Sequence, residues 1–141
     1  MGAVAGGCVL AWLVALSCSD IRRRRLPNRL TLPGAALILL VAALTGHGRP
    51  ALLGAAALFA VYLVVHLAAP SALGAGDVKL AIGIGALTGA FGSAVWTLAA
   101  LAAPLLTAGW AVAAVCARRG RTVPHGPSMC LAAAASIALA L

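Results

Sequence analysis

Hydrophobic residues run along this chain in long blocks, broken by short stretches of glycine, proline or basic residues. The blocks cover about residues 3–19, 32–45, 51–69, 76–89, 93–117 and 127–141. Each reads as a helix, because a continuous apolar run of this length is too long for a single strand. The breaks carry the expected punctuation: Gly46-His47-Gly48-Arg49-Pro50, Gly89 to Gly92, and the segment 118–126. Pro33 reads as a first-turn residue of the second helix, and Pro70 closes the third. The predicted fold is therefore all-α, a polytopic integral membrane protein with about six transmembrane helices, forming one membrane-embedded domain over residues 1–141. Segments two, four and six hold only about 14 or 15 residues, short of the ~20 that a helix needs to cross a typical hydrocarbon core. Either flanking residues extend them or the bilayer thins locally, and a five-span count fits the same pattern.

Composition supports the membrane assignment. Of 141 residues, 64% are hydrophobic and only 9% are charged, against roughly a quarter charged in soluble domains. The N-terminal run lacks a basic leader region, so it reads as a retained transmembrane helix rather than a removable signal. The net charge of +8 does not signal nucleic acid, because the basic residues sit in short clusters between apolar runs. With six spans, Arg22, Arg23, Arg24, Arg25, Arg29, Lys79, Arg118, Arg119 and Arg121 all fall on one side, and Arg49 alone on the other. The excess of positive charge marks the first side as cytoplasmic, with both termini outside.

Charge of the other sign is scarcer still. The chain has two acidic residues, Asp20 and Asp77, 57 positions apart. Asp20 ends the first segment and Asp77 begins the fourth, so the topology puts both at the same cytoplasmic depth. Taken singly, Asp77 reads equally well as a helix cap, and Asp20 as a counter-ion for the arginine run. Taken together they read as a pair, since a cap or a counter-ion has no reason to match the other's depth. Two neighbouring carboxylates share one proton, leaving one as base and one as acid. That arrangement suits peptide hydrolysis by an activated water and needs no metal or cofactor. Asp77, Ala81, Gly85 and Gly89 recur at helical spacing, a stripe of small residues along which a partner helix can approach. Gly74 and Gly76 would give the backbone freedom to turn and leave room for an extended peptide. Lys79 lies on roughly the opposite face, where it would reach toward lipid headgroups.

Other chemistries fit less well. Cys8, Cys18, Cys116 and Cys130 form no C-x-x-C pair, so a zinc site has little support. His47 and His125 fall on opposite sides of the membrane, and His66 reads as a packed helix residue. No serine or threonine has a base at a convincing spacing, and the glycine-rich stretches lack the lysine of a phosphate loop.

Three blocks resemble the bacterial prepilin peptidases, the type IV leader peptidases. They are SDIRRRRLPNRLTLPG (19–34), GAGDVKLAIGIGALTG (74–89) and, less specifically, VPHGPSMCLAAAAS (123–136). The resemblance implies an aspartic endopeptidase of the GxGD type with catalytic Asp20 and Asp77. It also implies supporting roles for Gly74, Gly76, Lys79, Pro27, Asn28 and Thr31, the last three shaping the loop and the start of the second helix. The implied substrates are prepilin or pseudopilin precursors of type IV pilus or secretion systems, trimmed of a short basic leader at the cytoplasmic face of the bacterial inner membrane. The chain lacks the cytoplasmic insertion with paired cysteines found in larger relatives, so it resembles the short, peptidase-only form of tight-adherence systems. Methyltransferase activity is in doubt for the same reason. The remaining partner is membrane lipid; the oligomeric state is open. Two other readings remain: an intramembrane GxGD peptidase with another substrate, and a small ion or solute transporter using the two acids.

Overall fold

A computed structural model describes residues 3–117 and 123–141. Among these residues it contains six helices and no strand: α1 (Ala3–Arg23), α2 (Asn28–Leu44), α3 (Gly48–Ala68), α4 (Ala75–Ala90), α5 (Ser93–Cys116) and α6 (Gly126–Ala138). Helices α1, α3 and α5 are long and apolar enough to cross a membrane. The other three are shorter; the 13 residues of α6 extend only about 20 Å. The arginines at 118, 119 and 121 lie outside the described residues.

The pattern of exposure is that of a protein solvated by lipid. Large apolar side chains such as Leu10 and Val14 of α1, Leu53 and Val64 of α3, and Leu101 and Leu105 of α5 point outward. The most buried helix is α4, in which every residue from Gly83 to Gly89 is enclosed. Its apolar residues occupy all faces, as expected of a helix surrounded by others. Being shielded from lipid, α4 need not match the bilayer thickness on its own.

The small-residue stripe of α4 does receive a close neighbour, but that neighbour is α3, not the α1 that carries Asp20. A Cβ added to Gly54 of α3 would collide with the Gly85 carbonyl oxygen, and one on Gly85 with the Gly54 carbonyl oxygen. A Cβ on Gly89 would lie 2.7 Å from the Pro50 carbonyl oxygen. The Trp96 indole N–H of α5 donates to the Gly54 carbonyl at 3.0 Å, fastening a third helix to the same crossing. By contrast α1 packs its backbone on α6 and α2, and reaches α4 through the Trp12 ring, which lies over Gly34 and Gly83. The Trp12 indole donates to the Leu30 carbonyl at 2.9 Å.

Two helix starts differ from the sequence expectation. Helix α2 begins at Asn28, so Pro33 lies inside it rather than in its first turn. The cap is Pro27, whose extended backbone turns its carbonyl toward the N–H groups of Leu30 and Thr31. Likewise α4 is capped by Gly74, and Asp77 is its third residue rather than its cap.

Candidate active site

Helix α1 ends in a left-handed turn at Arg24 (φ 48°), closed by the Arg24 N–H donating to the Asp20 carbonyl at 2.8 Å. This places Asp20 on the last turn, with its side chain directed inward and only 8% exposed. Asp77, half-buried, sits in the first turn of α4. Both aspartates line one cavity of about 180 Å³. Its remaining wall comes from Arg24, from Ala72 and Gly74 before α4, and from Val123, Pro124 and His125 before α6. The two carboxylates are near enough for the charge on Asp20 to act on Asp77.

Each acid also meets a backbone N–H at the start of a helix. Gly126, the first residue of α6, donates to Asp20 Oδ2 at 3.1 Å. The Gly74 N–H lies within hydrogen-bond reach of the Asp77 carboxylate. Helix N-termini favour negative charge, and the positive charge of Arg24, in the same cavity wall, acts on Asp20 as well. Gly126 lies tight against the acid: a Cβ there would come within 2.7 Å of Asp20 Oδ2, so the carboxylate would have to shift. At 74 and 76 the backbone needs no glycine-only conformation, since neither has positive φ. A Cβ on Gly76 would press against Leu26 at 3.3 Å, so this residue serves packing between the α4 start and the 24–27 loop rather than a sharp turn.

Of the other residues singled out from sequence, Lys79, Pro27, Asn28 and Thr31 do not line the cavity. They form its outer brace. Lys79 Nζ donates to Asn28 Oδ1 at 3.0 Å, tying α4 to the start of α2; it finds this partner instead of extending toward headgroups. Thr31 is buried and its hydroxyl donates to the Pro27 carbonyl at 3.4 Å. His66 donates from Nδ1 to the Leu73 carbonyl at 2.7 Å, steadying the loop before α4.

His125 by itself carries no sequence signal of a site, yet it lies in the cavity wall. Its Nε2 lies 2.9 Å from the hydroxyl of Tyr62 on α3, and its Nδ1 lies 2.6 Å from Thr107 Oγ1 on α5. Burial holds the imidazole below the usual histidine value, so it is neutral at pH 7. The available signal was scarcity: Tyr62 is the one tyrosine of the chain, and an intramembrane polar side chain requires a partner. A larger groove of about 540 Å³, lined by Cys8, Trp12, Val41 and Phe91 among others, lies toward the opposite helix ends and contains no acid.

A sequence model of the type IV leader peptidase family matches residues 8–140. The chain belongs to the type IV leader peptidase family. It is thus a peptidase, and its apolar helices make it a membrane protein. No curated protein and no solved structure matches the chain. The matched region of this leader peptidase contains both aspartates and all six helices save the first residues of α1.

Proposed function

We propose that this leader peptidase is an aspartic endopeptidase that removes the short basic leader of prepilin-like precursors at the cytoplasmic membrane face. The observation that carries the reading is that the chain's only two acids, 57 residues apart, line one cavity, each beside a helix-start N–H. The dyad holds one proton between its two members. The ionised carboxylate takes a proton from a water molecule, whose oxygen attacks the scissile carbonyl carbon. The protonated carboxylate donates a hydrogen bond to the carbonyl oxygen as negative charge develops there. The carboxylate that took the proton from water then passes it to the amide nitrogen; the C–N bond breaks as the carbonyl re-forms, freeing the mature N-terminus and leaving the dyad with one proton. Arg22, Arg23 and Arg25 anchor the α1–α2 connection on anionic lipid, which keeps the cavity at the surface where a leader meets its hydrophobic helix.

The direct test is purified protein in lipid vesicles with a prepilin carrying a short basic leader, followed by mass spectrometry. The expected products are an intact leader and a trimmed, unmethylated pilin. Cutting within the hydrophobic segment would favour an intramembrane peptidase instead. A geometric prediction accompanies it. Gly126→Ala pushes Asp20 off its N–H, and a displacement near 1 Å costs about 100-fold in rate. Single-turnover trimming at the wild-type rate by this variant would show that the Gly126 contact is dispensable.

A further inference from the structure

Three helices meet at the His125 side chain and one carboxylate meets the residue after it. The Thr107 hydroxyl has a single proton, and it donates to the Ala103 carbonyl at 3.1 Å. Its contact with His125 therefore runs the other way: Nδ1–H donates and Thr107 Oγ1 accepts. Neutral imidazole then leaves Nε2 as the acceptor for the Tyr62 hydroxyl. This assigns one tautomer and fixes the ring in two directions, toward α3 and toward α5. The same residue caps α6, its carbonyl accepting the Met129 N–H at 3.1 Å. The next N–H along the chain, that of Gly126, is the one that meets Asp20.

We propose that His125 is a positioning residue for leader removal: by bridging Tyr62 and Thr107 it sets the first turn of α6 where the Gly126 N–H meets the Asp20 carboxylate. The proposal rests on the reading of Asp20 as half of the catalytic dyad. The geometry favours positioning over proton transfer because both ring nitrogens are occupied by neutral hydroxyls. α6 has no side-chain cap of its own. Its first turn is therefore braced by the His125 ring from the α3 and α5 side, opposite the Gly126 contact with Asp20.

The test compares His125→Leu, His125→Gln, His125→Asn and Tyr62→Phe in purified protein, with Asp20→Asn alongside, on one prepilin substrate. Leucine keeps bulk and removes both ring hydrogen bonds. Glutamine retains an acceptor near the Nε2 position, and asparagine a donor near the Nδ1 position. The expected result is a kcat about 10-fold lower in His125→Leu with KM within about 2-fold. The glutamine and asparagine variants should each recover part of that loss. Tyr62→Phe, which removes one hydroxyl and keeps the ring, should lower kcat about 3-fold. Wild-type kcat in His125→Leu, a loss carried by KM, or glutamine and asparagine variants as slow as leucine would each overturn the proposal. Should His125→Leu fail to accumulate, Tyr62→Phe decides, and an unchanged kcat there overturns it. An active Asp20→Asn would remove the dyad reading and this proposal with it. An inactive Asp20→Asn beside an unaffected His125→Leu removes this proposal alone.

Discussion

Asp77→Asn and Asp20→Asn each reduce leader removal by roughly 10³-fold or more. Asparagine matches aspartate in size and keeps an acceptor oxygen for the Gly74 or Gly126 N–H, but it can neither take a proton nor carry charge. A dyad that needs one ionised and one protonated carboxylate loses its chemistry with either member. Neither variant should harm folding, because each removes a charge from an enclosed site, where charge is costly to hold. Trimming of a prepilin in membranes, scored against the amount of folded peptidase, separates the two effects. A wild-type rate in either variant would contradict a two-aspartate mechanism. The wild-type rate should also be bell-shaped in pH, since the acid limb and the alkaline limb each remove one required protonation state. A mechanism relying on one carboxylate would show one limb.

The second large effect concerns the frame that carries Asp77. Gly85→Val should destabilise the protein by about 3 kcal/mol or more. The new Cβ would meet the Gly54 carbonyl oxygen and carbonyl carbon of α3, and backbone has no alternative rotamer to move into. The two helices would have to separate. That would strip the Trp96 indole from Gly54 and tilt the α4 first turn that holds Asp77. Gly6→Ala and Gly109→Ala serve as controls, because a Cβ at either position meets nothing within 4 Å. They should stay within about 0.5 kcal/mol of wild type, or gain slightly from helix propensity. Thermal unfolding in detergent distinguishes these outcomes. A Gly85→Val protein as stable as Gly109→Ala would mean that the α3–α4 crossing can open without cost.

Local sequence rules located the helices well and their ends less well. The apolar run places the start of the second helix near Leu32. It starts at Asn28 because Pro27 presents its carbonyl to Leu30 and Thr31, a backbone event with no hydrophobic signature. Asp77 was open to reading as a cap for a similar reason: aspartate is a good cap, but the chain turned one residue triplet earlier, at Gly74. The glycines of the GAGD stretch looked like a device for tight turning. In the fold they take ordinary backbone angles, and Gly76 matters for the room it leaves to Leu26.

Lys79 and His125 mark the limit more sharply. Nothing in local spacing pairs Lys79 with Asn28, 51 residues away. No other histidine can join His125 across the membrane, yet its partners are a tyrosine and a threonine on two other helices.

By itself, then, the sequence determined the all-α membrane character, the helix order and the presence of only two acids at matching helix ends. These follow from hydropathy and from the scarcity of charge, which act along the chain. Only the tertiary structure decided that α3 rather than α1 lies on the glycine stripe, that α6 brings a backbone N–H to Asp20, and that His125 bridges α3 and α5. Those depend on which helix faces meet at close range, and a stripe of glycines or a single polar side chain accepts more than one neighbour until the whole bundle is packed.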